Sequence, residues 1–442
     1  MPETSIVIRA HNEEKHLGNL LEAIVTQEYQ NYEIILVDSG STDKTLEIAR
    51  SYPVRIIEIP SQDFTFGYSL NVGCRAARGK YLVFASAHVL PSDKHWLGNL
   101  VTSFDDPAVG MVYGRQVGAP QSKFSETRDF ARLFGRTVNN LRAPLSYANN
   151  ANAAVRRSAW ERHPFDEYLF GLEDIDFARK ITADGLLIRY EPRAAIYHIH
   201  EERWPQVFNR YRREAIAAVR IGLMEPPQAG LSWAWLLARL VDDLLASFPR
   251  YNRARVEEIV RFRYYQWKGS RVGFAQGKGI NFKTEKNALF FPVDGNAVVV
   301  SSIGQATLEP LALPELAPGE ILVKVDYALV SPEDLELPSG TPGRHFAGTI
   351  VRIGANNRLQ ERHTIGQRVT GVASEGRGAY ASYIIAPGDA ILPIPDGLDM
   401  QAALFTAFDF PAFSDTVLSL EEFEEAWRLH RTSKHLKILL KP

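Results

Sequence analysis

Short apolar segments that alternate with helical ones constrain the fold of the first part of this chain more than any other feature. They predict strands at residues 5–9, 33–37, 55–59 and 80–85, and helices at 13–26, at 68–78 and in a segment that ends at Arg50. Strands separated by helices of about 10–15 residues are typical of an α/β fold with a mainly parallel, doubly wound sheet. Ligands of such sheets bind beyond the carboxyl ends of the strands, so we expect functional residues at 9–13, 38–43 and 86–91.

Two later changes of pattern divide the remainder of the 442 residues. Residues 204–276 have apolar positions at helical spacing, whereas short β-rich runs separated by Pro and Gly follow from about residue 289. We therefore predict an α/β domain at 1–215, a helical extension at 216–285 and a mostly β domain at 286–442.

Composition narrows the class of protein. Hydrophobic residues make up 45% of the chain and the net charge is −2, so we expect a globular protein and no nucleic-acid partner. The single cysteine, Cys74, excludes an intrachain disulfide and a cysteine-cluster zinc site. Because residues 5–9 read as a strand rather than a signal peptide, and no apolar run reaches about 18 residues, we expect a cytoplasmic location.

The helical extension combines an apolar stripe with a basic segment. Charged residues at 239, 242 and 243 interrupt the stripe at 233–245, which argues against a membrane span. Residues 250–271 contain seven basic residues but only two acidic ones, Glu257 and Glu258. Two interpretations stand side by side: a solvated face on helices that pack on the first domain, or a docking surface for anionic lipid headgroups.

A carboxylate, Asp38, ends the second predicted strand and opens a Ser-Gly-Ser-Thr turn that closes at Asp43. Such a carboxylate can accept a hydrogen bond from a base N–H or a ribose hydroxyl, while the turn amides face the ligand. The same pattern is common in plain capping turns, so both interpretations stay open.

Three histidines are candidate metal ligands. His88 follows the fourth predicted strand, and a ring nitrogen there could bind a divalent cation or the backbone. His198 and His200 would face the same side of a strand, which predicts binding of a metal or an anionic diphosphate, or else ordinary strand polarity.

A predicted helix begins with three acidic residues, Glu173, Asp174 and Asp176, in its first turn. The helix dipole favours acidic residues in the first turn, so a capping role is one interpretation. The other is a general base at the mouth of a cleft.

Taken in order, these segments resemble the family 2 glycosyltransferases. The opening strand with Asn12 and Glu13, the turn at 37–45, the helix at 66–79 and the Glu173-Asp174 pair carry the resemblance, which spans about residues 1–215. It implies a GT-A fold, a Rossmann-like mixed sheet. Residues 147–157 are similar to those of bacterial rhamnosyltransferase-type enzymes of surface polysaccharide synthesis. The implied reaction is inverting transfer of a sugar from a nucleotide-diphosphate donor to a hydroxyl of a glycan or lipid-linked acceptor.

The resemblance also implies roles for particular residues. Asp174 would remove the proton of the acceptor hydroxyl, while Glu173 and Arg179 position it. The expected donor-binding residues are Arg9, Ala10, Asn12, Glu13, Asp38, Ser39, Gly40, Asp43, Ser86, Ala87 and Arg115.

One departure from the family concerns the metal. Its Asp-x-Asp segment is replaced here by Ser86-Ala87-His88. Either His88 with His198 or His200 holds a weakly bound Mg²⁺ or Mn²⁺, or the enzyme depends less on metal.

Residues from about 290 resemble the GroES-like domain of medium-chain alcohol dehydrogenases, through 342–348, 378–383 and 394–398. Residues 405–416 stand where a nucleotide-binding domain would follow, and no Gly-x-Gly-x-x-Gly is present, so we expect no NAD. Ser331 and Arg344 stand about where zinc ligands would be, so we expect no zinc.

This second resemblance therefore implies a non-catalytic module for self-association or partner docking. Two other functions are considered for the whole chain: a silent nucleotide-sugar-binding scaffold and a dehydrogenase. We also expect contact with a membrane surface and a homo-oligomer formed through the C-terminal domain.

Overall fold

The computed structural model describes residues 2–224, 229–248, 252–282, 286, 289–290, 296–300, 306–310, 316–331, 334, 339–354, 357–373, 378–408, 416–432 and 437–442. They form two compact units, Met1–Pro292 and Val293–Pro442. The first unit includes both the α/β segment and the helical extension. The three-part division at 215 and 285 stays a prediction.

The first unit contains a mixed sheet with helices on its faces. Its strands are β1 Thr4–Ala10, β2 Tyr32–Asp38, β3 Val54–Glu58, β4 Tyr81–Ser86, β5 Val89–Pro91, β6 Val109–Gly118, β7 Asn139–Leu141, β8 Asn152–Arg156 and β9 Leu187–His198. Its α-helices are α1 Leu17–Val25, α2 Thr45–Arg50, α3 Phe66–Ala76, α4 Trp96–Thr102, α5 Phe124–Leu133, α6 Arg157–Arg162, α7 Glu173–Ala183, α8 Trp204–Arg220, α9 Ala229–Ser247 and α10 Arg253–Gln276. Single 3₁₀ turns lie at Ser61–Asp63, Ser103–Asp105 and Gly277–Gly279.

The sheet has the order β3-β2-β1-β4-β8-β6-β9-β5, and β7 pairs with β9. Strands β1 to β4 are parallel, as the strand–helix alternation predicted. Antiparallel β8 between β4 and β6 makes the whole sheet mixed. The α/β fold class with a mixed sheet is thus confirmed.

Two strand pairings position the later functional residues. The parallel register places Ala10 beside Asp38 and Arg9 beside Ser86, so the carboxyl ends of three strands meet. The short strand β5 runs antiparallel to β9, with Val89 opposite His198. Residues far apart in sequence therefore converge at one edge of the sheet.

Helices α5, α9 and α10 are joined by buried ion pairs. Asp243 on α9 is fully buried and accepts hydrogen bonds from Arg128 (2.8 Å) and Arg132 (3.0 Å) on α5. It also accepts one from Arg263 (2.7 Å) on α10, itself fully buried. Asp129 on α5 pairs with the same arginine. The network fixes which face of α9 points inward.

Replacing Asp243 with alanine should lower the free energy of unfolding by about 3 kcal/mol, because the fully buried Arg263 then keeps only one of its two carboxylate partners, Asp129. Urea denaturation measures the change. Asp242→Ala is the matched control: Asp242 pairs with two of the same arginines but is exposed, so we expect little change. Equal effects of the two substitutions would contradict the assignment of the network to the buried carboxylate.

The second unit contains two sheets. Its strands are β10 Asn296–Val300, β11 Ala306–Pro310, β12 Glu320–Leu329, β13 His345–Ile353, β14 Arg368–Val372, β15 Tyr383–Pro387, β16 Ile391–Pro393, β17 Thr416–Ser419 and β18 Ile438–Lys441. Its helices are α11 Asn357–Arg362, α12 Met400–Ala407, the 3₁₀ turn Leu420–Glu422 and α13 Phe423–Thr432. The larger sheet has the order β16-β14-β13-β12-β18-β17, with β15 on β12, and β10 pairs with β11. The mostly β character is confirmed.

A buried polar cluster includes Ser331, one of the two residues that stand where the dehydrogenase family has zinc ligands. The carboxylate of Asp334 accepts hydrogen bonds from the backbone N–H and hydroxyl of Ser331. It also accepts from the Tyr380 hydroxyl at 2.9 Å and the Gly343 N–H at 2.7 Å. Ser331 therefore serves a hydrogen-bonded turn. Of residues 405–416, α12 includes the first three, and 409–415 lie outside the described residues.

The helices that the structure describes include none that is both long enough and apolar enough to cross a membrane.

Candidate active site

A cavity of about 830 Å³ opens beyond the carboxyl ends of β1 and β4, between the sheet and helices α7 and α8. The predicted site residues that line it are Arg9, Asn12, Glu13, Ser86, His88, Glu173, Asp174, His198 and His200. The predicted site residues that do not line it are Ala10, Asp38, Ser39, Gly40, Asp43, Ala87 and Arg115. The structure thus brings the proposed base and metal ligands together but places most of the predicted nucleoside contacts elsewhere.

Asp174 lies at the first turn of α7, as predicted, and its carboxylate is held by backbone N–H groups. Oδ2 accepts from Asn150 at 3.1 Å and Oδ1 from Ile175 at 2.8 Å. Leu172, which precedes the helix, has φ of 58°, a conformation that is costly for a side chain of this kind. This turn directs the following two carboxylates into the cavity.

The environment of Asp174 favours its protonated form. Burial and the adjacent Glu173 charge raise the pKa of Asp174 to about 7, although the two N–H groups and Arg9 oppose the shift. Arg9 lies 3.5 Å from the Glu173 carboxylate and stacks over Phe66. A carboxylate with a pKa near neutral pH is well matched to general base catalysis.

The three predicted histidines converge on one point of the cavity. One ring nitrogen from each of His88, His198 and His200 lies within 4.8 Å of the others. The cause is the β5–β9 pairing, which sets His88 next to the end of β9. His200 lies beyond that strand, which ends at His198, so the prediction that both histidines lie within a strand is corrected.

Each of these rings has an oxygen partner at Nδ1. His88 pairs with Glu13 at 2.7 Å, and His200 with Glu126 at 2.6 Å. His198 pairs with the side-chain oxygen of Gln116 at 2.8 Å. A partner at Nδ1 fixes the ring and leaves Nε2 for a metal, as in carboxylate–histidine–metal arrangements.

The surroundings shift the pKa values of these groups in different directions. Burial and the neighbouring His200, His88 and Arg210 lower the pKa of His198 well below its usual value, so this ring is neutral near pH 7. Burial alone would raise the pKa of Glu126, but Arg210 and His200 lower it to about 2. Burial would lower the pKa of His88, yet Glu13 raises it overall.

Within the described part of the chain, two buried acceptor atoms of this cluster have no hydrogen-bond partner, Nε2 of His198 and Oε2 of Glu126, and the donor Nε2 of Gln116 has none either. An unpartnered buried acceptor is costly unless a ligand completes it. The residues present therefore fit a divalent metal. Imidazole donors suit Mn²⁺ better than Mg²⁺, which prefers oxygen ligands.

The acidic turn after β2 is held by its own carboxylates. Asp38 is fully buried and accepts from the N–H groups of Gly40 (3.0 Å) and Ser41 (2.9 Å). Asp43 accepts from Glu14 and Thr45. These carboxylates hold the backbone of the turn, and their role in donor binding stays a prediction.

Most of the other predicted donor-binding residues outside the cavity pack or form hydrogen bonds within the protein. The Ser39 hydroxyl donates to the Ala10 carbonyl at 3.0 Å, and Ala87 is fully buried. Gly40 has φ of 78°, and a Cβ there would lie 2.3 Å from the Ser61 hydroxyl. Arg115 lies on β6, away from the cavity. Asn12 does line the cavity, and its side-chain oxygen accepts from the Thr42 N–H at 2.8 Å.

Sequence reasoning missed several cavity residues. Gln116 and Glu126 hold two of the histidines, and nothing in their local sequence indicates that role. Asn150 is buried in the cavity wall, and neither side-chain polar atom has a partner within the described residues. The resemblance at 147–157 contained Asn150 without assigning it a function.

Comparisons with known proteins match the two parts of the chain to two different families. The model of glycosyl transferase family 2 matches residues 5–163, and that of the alcohol dehydrogenase GroES-like domain matches residues 317–396. The O-antigen chain rhamnosyltransferase RfbN of Salmonella typhimurium is 27% identical over 220 residues, which are 47% of this chain and 69% of the relative.

Two further matches cover the two parts separately. The trans-enoyl reductase opdC of Penicillium oxalicum is 33% identical over 125 residues, 25% of this chain and 34% of that enzyme. The solved mannosyltransferase PcManGT from Pyrobaculum calidifontis, in complex with GDP-Man and Mn²⁺, is 20% identical with a TM-score of 0.45, over 62% of this chain and 87% of that one. The chain thus joins a segment that matches the glycosyl transferase family 2 model to a later segment that matches the model of the alcohol dehydrogenase GroES-like domain.

Proposed function

We propose that this chain is an inverting glycosyltransferase that moves a sugar from a nucleotide-diphosphate donor to a hydroxyl of a glycan or lipid-linked acceptor, in bacterial surface polysaccharide synthesis. The observation that carries the proposal is Asp174, a buried carboxyl with a pKa of about 7 that lines the same cavity as three converging histidines. Similarity to the O-antigen rhamnosyltransferase makes rhamnose the first donor sugar to test.

The reaction is a single displacement. The ionised carboxylate of Asp174 accepts the proton of the acceptor hydroxyl as that oxygen forms a bond to the anomeric carbon. The bond between the anomeric carbon and the donor phosphate oxygen breaks, and the electron pair leaves with the nucleoside diphosphate. Attack from the opposite face inverts the anomeric configuration. Glu173, paired with Arg9, sets the charge around the base.

A divalent metal bound at His88, His198 and His200 would offset charge on the leaving diphosphate. Glu13, Gln116 and Glu126 orient these rings through Nδ1. The chain's own contribution is thus a fixed donor set next to the base.

The experiment that tests this proposal measures nucleotide release from UDP-, dTDP- and GDP-sugars, with and without Mn²⁺ or Mg²⁺, for the intact chain and Asp174→Asn. We expect release from one donor, greater with Mn²⁺ and lost in the variant. A donor that binds but is neither hydrolysed nor transferred to any acceptor under any metal condition would instead support the silent scaffold. Equal release by the variant would overturn the assignment of the base.

The expected homo-oligomer, the absence of NAD and zinc chemistry in the second unit, and the absence of a nucleic-acid partner stay predictions. Binding of a nicotinamide cofactor to the intact chain would contradict the prediction that NAD does not bind, and it would support the alternative that the chain is a dehydrogenase.

A further inference from the structure

Helix α9 carries an apolar stripe that faces solvent. Four large apolar side chains spaced four residues apart share one face of the helix, and a fifth follows directly after its end; we call them the α9 stripe: Trp233, Leu237, Val241, Leu245 and Phe248. The last two are 72% and 75% exposed. Contiguous exposed apolar surface of this kind marks an interaction site.

The opposite face of α9 is anchored, so the stripe's outward orientation is fixed. Asp243 and Leu236 are buried on that inner face, and the carboxylate of Asp243 is held by Arg263 of α10 and by two arginines of α5. Near the start of α9, the Ser232 hydroxyl accepts from Trp267 at 2.7 Å. Rotating the stripe inward would break these buried bonds.

Helix α10, which packs against α9, carries exposed basic side chains. Its exposed positions include Arg253, Arg261, Lys268 and Arg271, and the exposed acid Glu257 pairs with Arg261. Arg271 stacks over Trp267, whose ring is 4.1 Å from that of Trp233 in the stripe. Asp242, the exposed acid of α9, is paired with arginines of α5. Aromatic and aliphatic side chains flanked by cations are complementary to an anionic lipid surface.

The same helix also reaches the active-site cavity. Trp235 and Arg239 line the cavity wall and stack at 5.9 Å. At helical spacing these two residues lie on the side of α9 away from the stripe, so the helix lines the cavity with one face and exposes the stripe on another. The exposed cations near the stripe, rather than the cavity, favour an anionic lipid surface as its occupant.

We propose that the α9 stripe and the basic face of α10 dock the chain on an anionic lipid bilayer, with the stripe inserted at the headgroup level. Docking does not depend on the proposed transferase reaction. Where both hold, it would bring a lipid-linked acceptor to the cavity.

The test is co-sedimentation of the full chain with phosphatidylcholine vesicles and with vesicles that also contain phosphatidylglycerol. We expect binding to the anionic vesicles, reduced by added salt, and about tenfold or more weaker for the double variant Leu237→Glu, Leu245→Glu. Circular dichroism checks its fold, which should persist because both side chains are exposed.

The matched control is Ile365→Glu with Leu392→Glu, which adds the same charge at two exposed apolar positions of the second unit. It should bind like the unchanged chain. Three outcomes would overturn the proposal: no binding of the unchanged chain to anionic vesicles, equal loss in both double variants, or self-association without lipid that only the α9 variant abolishes. None of them bears on nucleotide release, so failure of docking is distinguishable from failure of the transferase proposal.

Discussion

Substitution of Asp174 by asparagine should lower kcat for sugar transfer by about 10²–10⁴-fold, the contribution typical of a positioned general base. Asparagine keeps the size, and its one side-chain oxygen can still accept the N–H of either Asn150 or Ile175, but it cannot take the acceptor proton. Donor binding should therefore change little. Steady-state transfer with separate titration of donor affinity distinguishes the two effects.

The pH profile of the unchanged enzyme should follow the same carboxyl group. Because the pKa of Asp174 is about 7, the group is mostly the neutral acid below that pH and cannot act as a base. Transfer should rise about tenfold per pH unit up to about 7 and then level off. The asparagine variant should lose this dependence and retain only a low, flatter rate.

Asp176→Asn is the matched control, since it makes the same change two residues along α7. The Asp176 carboxylate pairs with Lys180, and the residue does not line the cavity. We expect near-normal kcat and an unchanged pH profile. If Asp176→Asn impaired transfer as strongly as Asp174→Asn, the loss would reflect the helix rather than the base.

The parallel half of the sheet could be predicted because its strands are buried on both faces and show as continuous apolar runs. The runs at 5–9, 33–37 and 80–85 match β1, β2 and β4 to within a residue or so at each end. The start of α7 at Glu173 was also predictable, since three acids lead an apolar helical face.

Contacts between distant segments could not be predicted in the same way. The histidine cluster depends on β5, a strand of three residues that the sequence suggested only as part of a loop. The sequence indicated His88, His198 and His200 as candidate metal ligands because imidazole binds metals, but only the β5–β9 pairing brings the three rings together. Their partners Gln116 and Glu126 come from a strand and a helix whose local sequence has no distinguishing pattern.

The turn at Asp38 shows a different limit. Carboxylates that cap a turn and carboxylates that bind a ribose have the same local sequence, because both need an acidic residue before Gly and Ser. The structure shows that the carboxylate caps the turn through the N–H groups of Gly40 and Ser41, whereas a ligand contact by the same group depends on a donor that the sequence does not specify.

Substitution of His198 by alanine should weaken Mn²⁺ binding by about 100-fold or more, because outer partners alone change metal affinity by about 10–100-fold and His198 is a proposed direct ligand. Its Nε2 is buried and has no partner among the described residues, so no other structural bond is lost on that side. Titration of free Mn²⁺ by electron paramagnetic resonance, in the presence of the nucleoside diphosphate released from the preferred donor, measures the affinity without requiring turnover.

Two further variants make this metal prediction specific. Glu126→Gln should weaken Mn²⁺ binding less than His198→Ala, since it alters the Nδ1 partner of His200 and the ion pair with Arg210 but removes no proposed ligand. His95→Ala removes an exposed histidine that pairs with Glu28 outside the cavity and should leave the affinity unchanged. If the unchanged chain transferred sugar at full rate with a chelator present, or if His198→Ala bound Mn²⁺ as tightly as His95→Ala, the three-histidine site would not hold the metal, and leaving-group charge would have to be offset by cavity cations such as Arg9 and Arg213.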